Sequence, residues 1–596
     1  MEVADLAALI RTTRRAEPRL LPLSDGWAAM LRRPRIVGGC NLRKEIMVDV
    51  NKPWFKAYDK GVPYSVICPP LSIKQMFNSC AEATPDRDYL IINDMRLPYG
   101  LINTMARKAA NALVTLGVKK GDRVAIMAPN VPQYVIAFQA CAKLGAIVVP
   151  INPLAAGPEV HHYIVDSGAE TVIVLAAFAK GPIEVLKASQ SSGDTPLRNV
   201  ITFQIPSVTS EVETGPGIHD FNDLVGAATD SEPDVDIRPS DILMLQYTGG
   251  TTGLSKGCVL TNENLVAIAY QENYWMAPLI GKDEPLRCLA AVPIYHIYGF
   301  NMNVNANHVS GGTIILVPQP TTDNVLAAIN QHEPNVFPAV PTMIIGLNQH
   351  PDISTSKIGS VKAVVSGSAP LPVEAMNTFE KLSGAVITEG FGMSETSNIV
   401  TANPLFTMRK PGSVGIPFPD NDVRIVDLET GEKEMPPGEP GEILAKGPSI
   451  MREYWNKPAE TEKTFRDGWL LTGDIGYLDE DGYVFIVDRL KDMVLSSGFN
   501  VYPREIDELM YSHPKVLQAC SFGIPDQKRG ESLKLALVLK PGEEMTGEEA
   551  HEFCKANLSG YKVPTQVAFL SELPVTSVGK PDRKRLRQLE LEGRLT

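Results

Sequence analysis

The chain has 596 residues, of which 44% are hydrophobic and 21% are charged, and its formal net charge is -13. This length exceeds what one hydrophobic core usually organises, so we expect two or more domains. The acidic balance argues against a general nucleic-acid-binding protein. The eight cysteines include no C-x-x-C pair, which disfavours a zinc site and indicates a reducing, cytoplasmic setting.

The first fifty residues are rich in arginine. A signal peptide would need a longer apolar centre, and the acidic Glu2, Asp5 and Glu17 count against a transit peptide. Two interpretations stay open: a solvated or locally packed extension, and a targeting segment or one attracted to anionic lipid at a membrane surface. The arginines concerned are Arg11, Arg14, Arg15, Arg19, Arg32, Arg33, Arg35 and Arg43.

From about residue 70 the sequence alternates between strand and helix signals. DRVAIMAP (122–129) predicts a strand, VPQYVIAFQACAKLG (131–145) a buried helix too interrupted to span a membrane, and AIVVPINP (146–153) another strand. Such alternation favours α/β layers with largely parallel sheets. Further short buried strands are predicted at TVIVL (171–175), ILMLQY (242–247), GTIILVP (312–318) and VKAVVSGS (361–368).

The sequence pattern changes after about residue 410. Short strands and turn signals at 428–443 and 478–489 predict a β-rich subdomain. Beyond Arg489, a unit of about 110 residues alternates helix, strand, strand and helix, which is the size of a small α+β domain. We therefore expect an N-terminal extension (1–60), a large domain of layered α/β sheets with a β-rich subdomain (61–488), and a small mobile α+β domain (489–596).

The stretch QYTGGTTGLSKG (246–257) is predicted to join the strand ILMLQY to a helix that begins at Thr261, its N-cap. Glycines let backbone N–H groups converge on an anion, hydroxyl groups add hydrogen bonds, and Lys256 adds a positive charge. The loop therefore suits a polyphosphate. It is not a Walker A loop, because its lysine neither follows glycine nor precedes a hydroxyl residue. A flexible surface loop is the alternative interpretation, because such a composition also occurs in linkers.

This loop and six further stretches resemble the adenylate-forming superfamily, which includes acyl-CoA synthetases, firefly luciferase and the adenylation domains of peptide synthetases. The resemblance covers roughly residues 70 to 590, and the motifs occur in the order and at the spacing typical of the superfamily. Within it, the motif sequences are most similar to those of bacterial fatty acyl-CoA synthetases. The six stretches are VPIYHIYGF (292–300), SGSAPLP (366–372), TEGFGMSET (388–396), GWLLTGD (468–474), DRLKDMVLSSGFNVYPREIDE (488–508) and PVTSVGKPDRKRLR (574–587).

The resemblance implies that the glycine-rich loop closes over the β- and γ-phosphates of ATP and that Glu395 binds Mg2+. Phe391 would stack on adenine, Asp474 would accept hydrogen bonds from the ribose hydroxyls, and Arg489 would contact ribose or phosphate. The loop residues are Thr248, Gly249, Gly250, Thr251, Thr252, Gly253 and Lys256. The remaining nucleotide-binding residues implied are Gly367, Ser368, Ala369, Pro370, Glu389, Gly390, Gly392, Met393 and Ser394.

The resemblance also implies catalytic and acyl-binding residues. Lys580 would place a positive charge between the substrate carboxylate and the α-phosphate, with Thr248, Glu395 and His296 completing the catalytic group. His296 would line or gate the carboxylate site, and Tyr298, Phe300 and Gly392 would face the acyl pocket. The alternatives are a structural histidine at His296 and a solvated basic surface at Lys580.

A domain rotation is implied for the second step. The hinge maps to Lys491, and the rotation brings a loop to the active site for thioester formation. That loop comprises Ser497, Gly498 and Phe499.

The implied activity is that of a fatty acid:CoA ligase that forms AMP, with Mg2+ as cofactor. ATP and a carboxylic acid would give acyl-adenylate and pyrophosphate, after which coenzyme A would take the acyl group. Alternatives are an aryl-acid:CoA ligase, an acyl-AMP ligase that serves a carrier protein, a luciferase-like oxidase, and a non-catalytic nucleotide-binding regulator. Acyl chain length and oligomeric state stay open, with a homodimer as one alternative.

Overall fold

A computed structural model describes residues 51–205, 208, 210–211, 213–248, 255–279, 285–496, 499–526, 530–576 and 581–595. The arginine-rich segment 1–50 lies outside these residues. The chain from Pro53 packs onto the large domain: the ring of Tyr58 lies 5.4 Å from that of Trp275, and Asp59 accepts hydrogen bonds from the backbone N–H groups of residues 405–407. The last part of the predicted extension is therefore packed.

The first large sheet has seven strands, which are parallel except for the last pair. Its central strands are almost entirely apolar and buried, as expected of parallel strands covered by helices on both faces. The predicted strands DRVAIMAP, AIVVPINP, TVIVL and ILMLQY are confirmed. The order is Ile218–Asp220, Asn199–Phe203, Thr171–Leu175, Arg123–Met127, Ile147–Pro150, Ile242–Tyr247 and Gly257–Thr261.

The glycine-rich loop corrects one prediction. It connects two antiparallel strands, Ile242–Tyr247 and Gly257–Thr261, and so lies at the tip of a hairpin rather than between a strand and a helix. The predicted helix follows the second strand as Asn262–Met276, and Thr261 is its N-cap, with its side chain accepting a hydrogen bond from the Asn264 backbone N–H.

The second large sheet has nine strands and a parallel centre, with antiparallel pairs at both edges. It confirms the strands predicted at 312–318 and 361–368. The order is Ile416–Pro417, Asn398–Ala402, Val386–Met393, Ala363–Ser366, Val336–Ala339, Arg287–Ala290, Thr313–Leu316, Asp88–Ile92 and Met95–Pro98.

The largest core cluster contains residues of both large sheets and of the helix Pro132–Leu144. That helix buries almost every residue, which explains why its sequence is apolar on all sides. Within the described part of the chain, no helix is both long enough and apolar enough to cross a bilayer.

The predicted β-rich subdomain is a five-stranded antiparallel sheet. The small unit that follows is a second five-stranded sheet with helices, as the sequence predicts. The strands of the subdomain are Asp422–Val426, Gly441–Lys446, Phe465–Arg466, Trp469–Leu478 and Val484–Arg489. Those of the small unit are Val494–Ser496, Phe499–Val501, Val516–Asp526, Gly530–Leu539 and Gln566–Phe569.

Helices cover the sheets and connect their strands, which completes the α/β architecture. The α-helices of four or more residues are Ile73–Ala83, Tyr99–Thr115, Pro132–Leu144, Gly157–Ser167, Lys180–Ser192, Phe221–Ala227, Asn262–Met276, Asn307–Ser310, Thr322–His332, Pro341–Asn348, Val373–Ser383, Pro458–Thr464, Pro503–Tyr511, Gly547–Asn557 and Arg583–Leu591. A π-helix, Phe300–Asn305, follows the short turn Ile297–Gly299.

Candidate active site

The glycine-rich loop is closed at its base by backbone hydrogen bonding. The Thr248 N–H donates to the carbonyl oxygen of Lys256 over 3.0 Å, and the Ser255 hydroxyl donates to the carbonyl oxygen of Thr248. His162 Nε2 contacts the Ser255 carbonyl oxygen at 2.8 Å. These contacts fix the positions at which the loop leaves and rejoins the two strands. The tip itself, with Gly249, Gly250, Thr251, Thr252 and Gly253, lies outside the described residues.

Tyr454 brings two of the predicted residues together. Lys256 Nζ lies 4.6 Å from the centre of its ring, and its hydroxyl donates to Glu395 Oε1 over 2.6 Å. Lys256 also forms an ion pair with Glu460 Oε2 at 2.9 Å. Neither Tyr454 nor Glu460 belongs to a motif recognised in the sequence, so sequence reasoning missed both. Through Tyr454 the glycine-rich loop and the TEGFGMSET segment form one polar cluster.

Glu395 is buried inside this cluster. Burial raises the pKa of its carboxyl, while the hydrogen bond from Tyr454 partly offsets that effect. The Met451 N–H donates to the Glu395 carbonyl oxygen over 2.7 Å, which fixes the backbone as well. In the regions that the structure describes, no group of three or more His, Cys, Asp or Glu side chains is arranged to hold a metal. Glu395 offers one hard oxygen ligand, and its binding of Mg2+ stays a prediction.

The predicted ribose site contains an open hydrogen-bond acceptor. Asp474 and Arg489 are cross-strand partners, and Arg489 Nε lies 3.0 Å from Asp474 Oδ1. Asp474 is only 3% exposed, and its Oδ2 has no hydrogen-bond partner among the described residues. Buried polar oxygens normally have a partner. A ligand hydroxyl would satisfy this one.

The SGSAPLP turn and the TEGFGMSET strand are tied together by Glu389. Its Oε1 accepts a hydrogen bond from the Leu371 N–H over 3.0 Å, and burial raises its pKa to about 7. Ser368 has φ 74°, a left-handed conformation that strains a residue with a side chain. Gly367 lies against Tyr298, and a Cβ atom there would make an ordinary van der Waals contact with the ring at 3.5 Å. Ala369 and Pro370 complete the same turn.

Phe391 lies in the strand Val386–Met393 and is 8% exposed. It packs with apolar residues that include Val414 of the loop before the β-rich subdomain and Val423 within it. Its stacking on adenine stays a prediction. Gly390, Gly392 and Met393 end the strand, and Ser394 begins the short turn that carries Glu395.

Gly392→Ala is expected to destabilise the protein by about 3 kcal/mol, because a Cβ atom there would lie 1.6 Å from the Asn398 carbonyl oxygen and would force the strands apart. Urea denaturation measures this loss. Gly226→Ala is the matched control, since a Cβ atom at Gly226 meets nothing within 4 Å. Equal stability of the two variants would contradict the prediction.

His296 is half-buried and is the N-cap of the turn Ile297–Gly299. Its Nδ1 accepts from the Tyr298 N–H at 3.3 Å, so in the neutral ring the proton lies on Nε2. The Tyr298 hydroxyl donates to the carbonyl oxygens of Ala339 and Val365. Phe300 packs in the largest core cluster, its ring 4.6 Å from that of Phe138. Its role in the acyl pocket stays a prediction.

A small apolar cavity of about 10 Å³ lies among residues of the cluster that contains Tyr298. The buried carboxyl of Glu272, on the helix Asn262–Met276, also lines it and was missed by sequence reasoning. Burial raises the pKa of Glu272 to about 8. The apolar wall of the cavity comprises Trp275, Met276, Met302, Val365, Ile399, Ala402 and Phe418.

Glu272→Gln is expected to flatten the pH dependence of stability. The pKa of Glu272 is about 8 in the folded state and about 4.3 in the unfolded chain. Between these two pH values the folded protein keeps the proton that the unfolded chain has lost. Stability from this group is therefore lost as pH rises toward 8, by about 1.4 kcal/mol per pH unit. Urea denaturation of both proteins should show the variant gaining relative to wild type as pH rises. Parallel pH profiles would be the contrary result.

The predicted hinge follows the strand Val484–Arg489 directly. Lys491 is exposed and lies in a turn in which the N–H groups of Asp492 and Met493 donate to the Arg489 carbonyl oxygen. Ser497 and Gly498 lie outside the described residues, and Phe499 begins the next strand of the small unit. Rotation about Lys491 stays a proposal.

Lys580 also lies outside the described residues, but both sides of its segment are defined. Val575 and Pro581 form an isolated antiparallel bridge, and the Asp582 N–H donates to the Pro574 carbonyl oxygen over 2.8 Å. Asp582 caps the helix Arg583–Leu591 with its side chain. Residues 577–580 therefore connect two paired positions next to a capped helix.

Comparison with known proteins adds independent findings. The model of the AMP-binding enzyme family matches residues 77–455, and that of the AMP-binding enzyme C-terminal domain matches residues 505–580. The chain is 37% identical over 556 residues to a long-chain-fatty-acid–CoA ligase of Bacillus subtilis, covering 91% of this chain and 99% of that protein. It is 33% identical over 485 residues to a feruloyl-CoA synthase of Amycolatopsis, covering 81% of this chain and 92% of that protein.

A solved structure shares the fold. ATP-bound MatB from Rhodopseudomonas palustris is 28% identical and superposes with a TM-score of 0.78 over 88% of this chain and all of that one. Both family models, the relatives and the fold agree with the motifs in the sequence. The chain belongs to the family of AMP-binding enzymes, and so to the adenylate-forming superfamily.

Proposed function

We propose that the protein is a fatty acid:CoA ligase that forms AMP. It would convert a fatty acid and ATP into acyl-adenylate and pyrophosphate, and then transfer the acyl group to the thiol of coenzyme A. The observation that carries this proposal is that Lys256 and Glu395, both assigned to the phosphate end of ATP, meet at Tyr454, while Asp474, assigned to the ribose, has an open acceptor and lies close enough for its charge to raise the pKa of Glu395. Membership of the family and the long-chain-fatty-acid ligase among its relatives support it.

In the first step, the protein's residues position and neutralise charge. Asp474 holds the ribose through its free oxygen, Lys256 and the loop hold the β- and γ-phosphates, and Lys580 stabilises the charge that develops as the carboxylate attacks the α-phosphate. The substrate carboxylate is itself the nucleophile, so no protein nucleophile is required. Pyrophosphate leaves from the loop side.

Glu395 suits Mg2+, because its carboxylate is a hard oxygen donor beside the phosphate loop and phosphate oxygens can complete the coordination. When bound, Mg2+ neutralises the charge of the polyphosphate. The Tyr454 hydrogen bond orients the carboxylate for this purpose, and burial keeps bulk water away from it.

In the second step, we propose that the small domain rotates about Lys491. Lys580 leaves the active site, and the loop of Ser497, Gly498 and Phe499 replaces it, so that the coenzyme A thiol can attack the adenylate. Lys491 lies in a turn between the β-rich subdomain and the small unit, and a turn at such a boundary can absorb the backbone rotation of a hinge.

The first experiment measures AMP release from MgATP by the purified protein, using carboxylic acids from acetate to oleate and coumarate. Turnover that requires coenzyme A and rises with fatty chain length is the expected result. Adenylate formation without thioester would instead indicate an acyl-AMP ligase that serves a carrier protein. Turnover with coumarate alone would indicate an aryl-acid ligase. No AMP with any acid would overturn the proposal.

We also propose that the protein works in the cytoplasm and that residues 1–50 attract it to anionic lipid through their arginines. Deleting these residues should reduce cosedimentation with vesicles that contain phosphatidylserine and leave ligase activity on dissolved acids unchanged. Unchanged cosedimentation would remove the basis of the lipid proposal. Sedimentation velocity of the same protein would decide whether it is a homodimer.

A further inference from the structure

Glu272 is an unusual residue for the wall of an apolar cavity. It is 1% exposed, its Oε1 accepts a hydrogen bond from Asn398 Nδ2 over 2.5 Å, and its Oε2 has no partner among the described residues. A buried polar atom without a partner costs about 1–3 kcal/mol. The protein therefore carries a penalty at this position that a ligand could relieve.

The cavity lies next to the adenylate-forming machinery. Two of its lining residues belong to the adenylate-forming motifs or adjoin them. Val365 directly precedes the SGSAPLP turn, and Thr388 is the first residue of the TEGFGMSET segment. Met302 follows the His296 turn on the π-helix, and Glu272 lies on the helix that follows the phosphate-loop hairpin. Elements that carry or adjoin four of the motifs thus contribute to the wall, and its apolar residues pack in one cluster with Tyr298, which places the cavity beside the predicted acyl pocket.

A purely structural role explains only half of this arrangement. The bond from Asn398 connects the helix Asn262–Met276 to the strand Asn398–Ala402, where Asn398 itself has φ 146°. Nearby, the Asn301 side-chain amide donates to the Ser397 carbonyl oxygen, so the same turn is already held by a second contact. Connecting the helix to the strand requires only Oε1 of Glu272. The structural role gives no function to Oε2.

We propose that Glu272 is a specificity-determining residue of the acyl pocket, where its carboxylic acid donates a hydrogen bond to an oxygen substituent on the acyl chain. The substrate class is therefore hydroxy- or oxo-substituted carboxylic acids, in preference to unsubstituted acids of equal length. The inference rests on the proposed ligase function and deepens it.

The chemistry favours an oxygen acceptor in the ligand. Since burial raises the pKa of Glu272 to about 8, the carboxyl is mostly protonated at neutral pH and its O–H is available as a donor. Oε1 already accepts from Asn398, which leaves Oε2 to carry the proton. An unsubstituted acyl chain would leave the Oε2–H donor buried without an acceptor, which costs free energy. A hydroxyl or keto oxygen on the chain would accept its hydrogen bond.

The cavity is too small for an acyl chain without movement. At about 10 Å³ it has space for about one water molecule. Met276 and Met302 both line it, and methionine side chains change rotamer readily to fill or vacate irregular space. The wall can therefore open along an entering chain while Glu272 stays fixed by Asn398.

The test measures kcat/KM of the full-length protein at neutral pH for hexadecanoate and for hexadecanoates with one hydroxyl at successive positions along the chain. The wild type should prefer the hydroxylated acid at one position or a few adjacent ones. Glu272→Met should lower the hydroxylated-to-plain ratio at those positions by at least about tenfold. Glu272→Gln should retain most of the preference, because its amide N–H can donate to the same oxygen.

Glu263→Gln is the matched control, an exposed glutamate on the same helix, and should leave every ratio unchanged. If Glu272→Met lowers kcat/KM equally for all acids, or leaves the ratio unchanged, the specificity proposal is overturned and Glu272 is an anchor only. Failure of the ligase function itself is distinguishable, since wild type would then release no AMP with any acid of the series.

Discussion

Replacing Lys580 by alanine is expected to slow acyl-adenylate formation about a thousandfold. The attack joins two anions, a carboxylate and an α-phosphate, and a lysine between them stabilises the charge only as the new bond forms. In the proposed mechanism coenzyme A attacks after the small domain has rotated, so the thioester step should not need Lys580. Pyrophosphate release in a single turnover measures the first step, and conversion of chemically made acyl-adenylate with coenzyme A measures the second.

Lys584→Ala provides the matched control. Lys584 is exposed on the helix Arg583–Leu591, just beyond the segment that carries Lys580, and should behave like wild type in both assays. Similar losses in the two variants would indicate a general effect of basic charge. A loss confined to the thioester step would place Lys580 in the wrong half-reaction and refute its assignment.

Replacing Asp474 by alanine is expected to weaken binding of AMP about a hundredfold. The carboxylate can accept hydrogen bonds from vicinal ribose hydroxyls, and bonds to a charged acceptor contribute about 1.5–3 kcal/mol each. Because Arg489 is 40% exposed, water can solvate it when its partner is removed, so the unfolding midpoint should change little. Isothermal titration with AMP measures the affinity, and urea denaturation measures the stability.

The nucleotide itself supplies a second comparison. Wild type should bind AMP more tightly than 2′-deoxy-AMP, and Asp474→Ala should bind both with the same reduced affinity. Glu480→Gln, at an exposed position in the β-rich subdomain, should retain the wild-type discrimination. Equal discrimination in Asp474→Ala and wild type would show that the carboxylate does not read the ribose.

The sequence by itself determined the α/β class, most of the regular elements and the family. Buried parallel strands need unbroken apolar runs, so TVIVL and ILMLQY were recognisable locally, and Thr261 marked its helix because an N-cap acts within one turn. The hairpin of the glycine-rich loop was misread because the short strand Gly257–Thr261 directly adjoins the helix that follows it. Its strand character comes from pairing with Ile242–Tyr247, and periodicity over five residues does not distinguish the two states.

Only the tertiary structure decided which distant side chains meet. Tyr454 lies 59 residues from Glu395, and Asn398 lies 126 residues from Glu272, yet each pair is hydrogen-bonded. No local pattern encodes such contacts, because they follow from the order of strands in the sheets and from which helix covers them. The motifs therefore indicated the chemistry of the predicted nucleotide site, because close approach of a glycine backbone to a ligand and the charge of a side chain are properties of a short stretch of sequence. The order in which strands pair and helices pack decided the tyrosine that organises this site and the buried acid beside the predicted acyl path.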